Sequence, residues 1–218
     1  MKNQFINKKN NFHKKNIYIL SDCFVPTRNS ASGMIYNLAK YLVHEGANVT
    51  CVHSGKNPIQ NKTIFIDYDL DGLNFITLDL FTYLRNKNVF LRFMFETTLS
   101  FFLSIKIIFL FKKMKKINLI IWYGPSAFLW FPAIVMKLIS GAPIYYILRD
   151  IFPEWLQSIG LLKNKLLFMV LNFLTYPQYI CPDKIGIESP ENLLLIKKKI
   201  KNQNKIETMY NWPSIYYL

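Results

Sequence analysis

Short apolar runs alternate along the chain with stretches whose apolar positions recur at helical spacing. Ile17-Tyr18-Ile19-Leu20 is a run of β-formers and predicts a buried strand. Ser21-Asp22 stops it, and a polar loop follows through Pro26, Arg28, Asn29 and Ser30-Ala31-Ser32-Gly33. Met34, Leu38, Ala39, Leu42 and Val43 then fall on one helical face, with Lys40 and Glu45 on the other. Gly46 ends that helix as a C-terminal cap would, and a second strand is predicted over Asn48 to His53. The result is a βαβ unit with a small-residue loop at the helix start.

The pattern repeats downstream. Ile64 to Phe65 and Leu73 to Leu78 predict short strands, and Tyr83 to Phe111 predicts a long helix rich in Phe, Leu and Ile. Strands over Ile117 to Trp122, Ile144 to Leu148 and Cys181 to Ile187 alternate with helices over Ala127 to Ile139 and near Leu166 to Leu174. Ser189-Pro190-Glu191 marks another helix start, with Ser as cap and Pro and Glu in the first turn. Strands alternating with helices predict an α/β fold with a doubly wound parallel sheet. Residues 1–15 are polar and basic and read as a disordered tail ahead of the domain.

Composition sharpens this picture. The chain has 218 residues, enough for one large domain, and 51% of them are hydrophobic, which argues against disorder. The formal net charge is +14, so anionic partners are favoured: acidic lipid headgroups, nucleic acid or phosphorylated substrates. Nucleic acid is the weakest of these. No helix-turn-helix, zinc or RNP-type motif is visible, and the aromatic residues lie in apolar helices rather than among the lysines. Cys23, Cys51 and Cys181 are far apart and odd in number, so neither a disulfide framework nor a zinc site is suggested. His13, His44 and His53 do not form a metal set.

Lys112, Lys113, Lys115 and Lys116 stand beside the apolar stretch Leu91 to Phe111. That stretch is long enough for a bilayer core, but Arg92, Glu96 and Lys106 interrupt it. A charged residue near a helix centre costs roughly 2.5–3.5 kcal/mol on insertion scales. A helix lying on the cytoplasmic leaflet is therefore preferred, with the four lysines as membrane contacts; a buried helix and a true span remain as alternatives.

Three motifs follow predicted strands. Ser30-Ala31-Ser32-Gly33 opens a helix, where backbone N–H groups and the helix dipole attract an anion, and Arg28 and Asn29 line the same mouth. It is neither Gly-x-Gly-x-x-Gly nor a P-loop. Trp122-Tyr123-Gly124-Pro125-Ser126 offers Ser126 as a helix cap or a substrate contact. Arg149-Asp150-Ile151-Phe152-Pro153-Glu154-Trp155 places a guanidinium and two carboxylates where a strand should end, and ligands of open α/β sheets bind outside those ends. Asp150 and Glu154 are four apart and would share a face of a helical turn; Asp150 would otherwise be an N-cap. An adjacent arginine keeps a carboxylate ionised and can also grip phosphate.

With these motifs in hand, the chain resembles the amino-terminal half of a family 4 glycosyltransferase with the GT-B fold. The likeness is nearest to bacterial O-antigen and capsule enzymes that transfer N-acetyl-L-fucosamine. It is carried by Ser21-Asp22-Cys23-Phe24-Val25-Pro26, by Ser32 to Leu42, by Leu148 to Trp155, by Gly160-Leu161, by Ile185 to Leu193, and by Tyr210-Asn211-Trp212. The resemblance implies a Rossmann-like, acceptor-binding domain over residues 16–210 and the start of an interdomain linker over 211–218. It implies transfer, with retention, from a nucleotide-sugar to a lipid-linked saccharide acceptor, at the cytoplasmic surface of the inner membrane and with no metal or other cofactor. Asp150 and Arg149 are then the candidate catalytic residues. Ser32, Gly33, Arg28, Asn29, Glu154 and Ser126 are candidate substrate contacts, with Asp22 a lesser one. Arg149 stands where many members carry histidine. No Glu-x7-Glu donor motif follows Leu218, so a separate chain carrying the donor domain would be a further partner, and the chain alone is expected to be inactive. The competing expectation is a non-catalytic membrane-binding module.

Overall fold

The computed structural model describes residues 12–24, 30–54, 72–78, 89–124 and 127–212. Its strands are β1 (Asn16–Ser21), β2 (Asn48–Ser54), β3 (Asn74–Leu78), β4 (Leu119–Tyr123), β5 (Ile144–Leu148), β6 (Lys184–Ile187) and β7 (Ile206–Thr208). They form one seven-stranded sheet in the order β3-β2-β1-β4-β5-β6-β7, with every pair parallel. The order reverses between β1 and β4, which makes their carboxyl ends the topological switch point.

The helices are α1 (Ser30–His44), α2 (Val89–Leu110), α3 (Trp130–Ser140), α4 (Glu154–Ser158), α5 (Lys165–Thr175), α6 (Pro177–Ile180) and α7 (Pro190–Lys197). Parallel strands need crossover connections, and the right-handed crossover decides the face on which each helix lies. Alternate side chains of each strand therefore feed two cores. Ile17, Ile19, Val49 and Ile147 pack under Ile35, Ala39 and Leu42 of α1. Tyr18, Leu20, Trp122 and Tyr146 pack under Leu103 and Ile107 of α2, Ala133 and Met136 of α3, and Ile196 of α7. Both faces are covered, so the strands read as continuous apolar runs rather than alternating ones.

Local chemistry sets the boundaries. Gly46 and Gly141 end α1 and α3 with φ of 85° and 70°, a conformation that favours glycine. The Ser189 hydroxyl accepts from the Asn192 N–H at 3.2 Å, the cap that the sequence predicts for α7. Trp122 and Tyr146 pair across β4 and β5 and stack at 3.9 Å between centroids. Below them the Tyr146 hydroxyl donates to Gln178 Oε1 at 3.2 Å, and Gln178 Nε2 and the Tyr179 hydroxyl both donate to the Phe152 carbonyl at 3.3 Å. These bonds fix the turn after β5 to α6.

Several boundaries differ from the sequence-based expectation. The turn at Phe12–Lys14 is already docked, with the Lys14 N–H donating to the Gly46 carbonyl at 2.9 Å, so order extends into the expected tail. The last predicted strand shortens to Lys184–Ile187, because Cys181 closes α6, its N–H donating to the Pro177 carbonyl, and Pro182 has no N–H to offer the sheet. β7 has no signal in the sequence: it is three residues long and only one of them is apolar. The predicted strand at Ile64 to Phe65 lies outside the described residues. Among the described residues no helix is long and apolar enough to cross a membrane. Instead α2 buries Leu99, Leu103 and Ile107 and exposes Phe101, Phe102 and Phe109.

The two faces of α2 should respond differently to truncation. Leu103→Ala is expected to cost about 2–5 kcal/mol in urea unfolding, the range for a fully buried leucine. Phe109→Ser, at a position 77% exposed, should stay within about 0.5 kcal/mol of the parent. Equal losses would contradict the orientation of this helix.

Candidate active site at the strand ends

An all-parallel sheet gathers the carboxyl ends of its strands on one edge. Leu148 of β5 is paired with Ile187 of β6, so the next residues, Arg149 and Glu188, leave the sheet side by side. Their side chains form an ion pair between Nη1 and Oε1, each 19% exposed. Arg149 shares the parity of Ile147 and so points to the α1 side of the sheet. There Nη1 donates to Asn211 Oδ1 at 2.7 Å and lies 3.0 Å from Met34 Sδ, and the guanidinium sits 5.9 Å from the Tyr123 ring centroid. Trp212 Nε1 donates to the Met34 carbonyl at 3.1 Å, which ties the segment after β7 to the first turns of α1. The ends of β4, β5 and β6, the start of α1 and the segment after β7 thus meet around one guanidinium.

The electrostatics follow from partial burial. Desolvation raises the Asp150 carboxyl above its ordinary value, and the Arg149 charge opposes the shift. Desolvation also raises Glu188, with Arg149 and Asn211 opposing and Asp150 adding. Burial pushes the Tyr123 hydroxyl up to about 12, so it stays a proton donor at neutral pH. One arginine thus faces two carboxyls that compete for it.

The sequence-predicted residues divide. Arg149 and Asp150 stand at the β5 end, as expected. Helix α4 begins only at Glu154, with Pro153 at its N-cap position, so Asp150 neither caps that helix nor shares a face with Glu154. Glu154 instead pairs through Oε1 with Lys199, whose Nζ also donates to Asn172 Oδ1 at 3.0 Å and lies 5.2 Å from the Tyr179 ring centroid. Ser32 is buried in the first turn of α1. Among the described residues, no atom lies within 4 Å of where a Cβ at Gly33 would stand. Asp22 lies buried just after β1. Gly124 follows β4 where a Cβ would come within 3.3 Å of the Tyr146 hydroxyl, a close approach that favours glycine. Arg28, Asn29 and Ser126 lie outside the described residues. Lys112, Lys113, Lys115 and Lys116 are exposed at the opposite edge of the sheet, where Asn16 Nδ2 donates to the Lys116 carbonyl at 2.7 Å.

Glu188, Asn211, Met34 and Tyr123 stand within motifs of the sequence but were not among its candidate site residues. Glu188 had a usable signal, since it follows a predicted strand just as Arg149 does. Asn211 and Met34 lie in segments that carry the resemblance, but they are distant in the chain and only the fold brings them to Arg149.

The fold is a Rossmann-like, doubly wound parallel sheet of the GT-B kind. No protein-family model and no curated protein matches the chain. Among solved structures, a UDP-forming α,α-trehalose-phosphate synthase from Burkholderia vietnamiensis is similar with a TM-score of 0.59 at 10% identity, over 88% of this chain and 43% of that one. HepE from Anabaena in complex with UDP and glucose gives 0.52 at 12% identity, over 90% and 44%. A UDP-N-acetylglucosamine 2-epimerase gives 0.55 at 11% identity, over 91% and 48%. The chain spans less than half the length of each of these three structures.

Because Asp150 is raised, its protonated form favours the folded state. The stability so gained is full below the unfolded-state value of about 4 and is lost as pH rises through the higher folded value. Asp150→Asn should remove that loss, so its melting temperature should gain on the parent's between pH 3 and 7. A constant difference across that range, read by thermal melts, would contradict a raised Asp150.

Proposed function

We propose that this chain is the acceptor-side half of a glycosyltransferase that moves a sugar, with retention, from a nucleotide-sugar to a lipid-linked saccharide. Its place would be bacterial surface polysaccharide synthesis, of the O-antigen or capsule kind, in the manner of the family 4 enzymes that transfer N-acetyl-L-fucosamine. The observation that supports this most is the Arg149–Glu188–Asn211 cluster at the strand ends, set against the first turns of α1 through Met34. The epimerase among the similar structures shows that this fold also serves other nucleotide-sugar proteins, so the assignment rests on the site and not on the fold.

In this reading Arg149 grips phosphate oxygens with its planar fork. Glu188 and Asn211 keep that fork aimed while the site is empty. Asp150, with its raised carboxyl, orients the acceptor hydroxyl and accepts its hydrogen bond. Ser32 and Gly33 present backbone N–H groups at the α1 start to the donor phosphates, and the sequence offers Arg28, Asn29 and Ser126 as further candidate contacts. Glu154 holds the turn after β5 through Lys199. No metal is required. Lys112, Lys113, Lys115 and Lys116 contact the anionic inner face of the membrane, and the domain works there as a cytoplasmic, peripheral protein.

The test is binding of a lipid-linked diphosphate sugar in detergent micelles, followed by fluorescence. Saturable binding is expected, and Arg149→Ala should weaken it by about tenfold or more, the equivalent of about 1.4 kcal/mol. An unchanged affinity in Arg149→Ala, with the variant's melting temperature intact, would overturn the phosphate role.

A further inference from the structure

We infer that the outer surface of the layer formed by α2, α3, α5 and α7 docks on an anionic lipid bilayer, with α5 as its apolar anchor. This rests on the membrane-bound reading above and gives it a surface. The crossover rule puts these helices on one side of the sheet, opposite α1; α2, α3 and α7 share the core there, while α5 packs through Leu167, Phe168 and Leu171 on Leu156 and Leu162. Each buries one stripe and leaves a large apolar side chain on the other: Phe109 on α2, Leu138 on α3, Phe173 on α5 and Leu194 on α7. Helix α5 goes furthest. Leu166, Met169, Val170 and Phe173 recur at i, i+3, i+4 and i+7, and Leu166 and Phe173 are 70% and 79% exposed. A helix turned only to water carries polar residues on that stripe. Broad apolar surface of this kind marks a partner or a membrane.

Charge selects the occupant. From Trp155 to Pro182 the chain has no Asp or Glu, and α3 has none either. Lys163 and Lys165 stand exposed at the start of α5, near the edge that carries Arg149. Lys112 and Lys113 follow the end of α2, and Lys197 and Lys198 close the layer at the end of α7. These helices run back antiparallel to the strands, so the two groups of lysines lie at opposite edges. An apolar centre bordered by lysines on both sides fits acyl chains beneath anionic headgroups. Docked this way, the sheet lies parallel to the bilayer. The Arg149 edge then opens along its surface, where the head of a lipid-linked acceptor would lie.

The experiment is flotation of the full chain with phosphatidylcholine vesicles, with and without phosphatidylglycerol. Three proteins are compared: the parent, Leu166→Ser/Phe173→Ser, and the variant with Lys112, Lys113, Lys115 and Lys116 all changed to Gln. The parent is expected to float with the anionic vesicles. The α5 variant should lose about tenfold or more in partitioning while keeping the parent's melting temperature, because both positions are exposed. If only the lysine variant loses flotation, the membrane reading stands and α5 as anchor is overturned. If the parent does not float at all, both fall. If the parent is a dimer in solution that Leu166→Ser/Phe173→Ser dissociates, a second copy is the occupant and the inference is overturned.

Discussion

Every strand of the sheet runs the same way, and each must be reached by a crossover of one hand. That constraint determines most of what matters in this molecule. It sends α1 to one face and α2, α3 and α7 to the other. It brings all the carboxyl ends to one edge and breaks the strand order between β1 and β4, the place at which open α/β sheets bind their ligands. It also leaves one broad helical surface whose outward residues are free of the demands of the core.

The Arg149 cluster is a direct product of this arrangement. Parallel register sets Arg149 beside Glu188, and side-chain alternation turns Arg149 toward α1 and its Met34. A partly buried ion pair of this kind is weak evidence for stability, because desolvation offsets much of the attraction. Its value lies in position. Glu188, Asn211 and the Tyr123 ring hold one guanidinium in one place, while Asp150, raised by burial, waits beside it. The tether through Trp212 also joins the segment after β7 to α1, at the edge where the strands end.

Much of the fold was legible. The run Ile144 to Leu148 and the capping residues Gly46 and Ser189 fall where local chemistry places them, because strand runs and caps are local properties. What escaped was non-local or too short. β7 is a strand only because β6 offers it an edge. Asp150 and Glu154 looked like neighbours on a helical turn, but the helix starts after Pro153, and Glu154 finds Lys199 from another element. The exposure of Leu166 and Phe173 could not be read from their spacing, since the same apolar period describes a stripe turned inward.

The sequence alone determined the alternation of strand and helix, the stops after the strands, and the placing of Arg149 and Asp150 at a strand end. These follow from apolar period, caps and turn residues, which act over a few positions. Only the tertiary structure decided which strand ends adjoin, which side chains face Arg149, and which stripe of each helix meets the core. Those outcomes depend on strand order and register, and parallel pairing joins segments whose separation along the chain carries no trace of their contact.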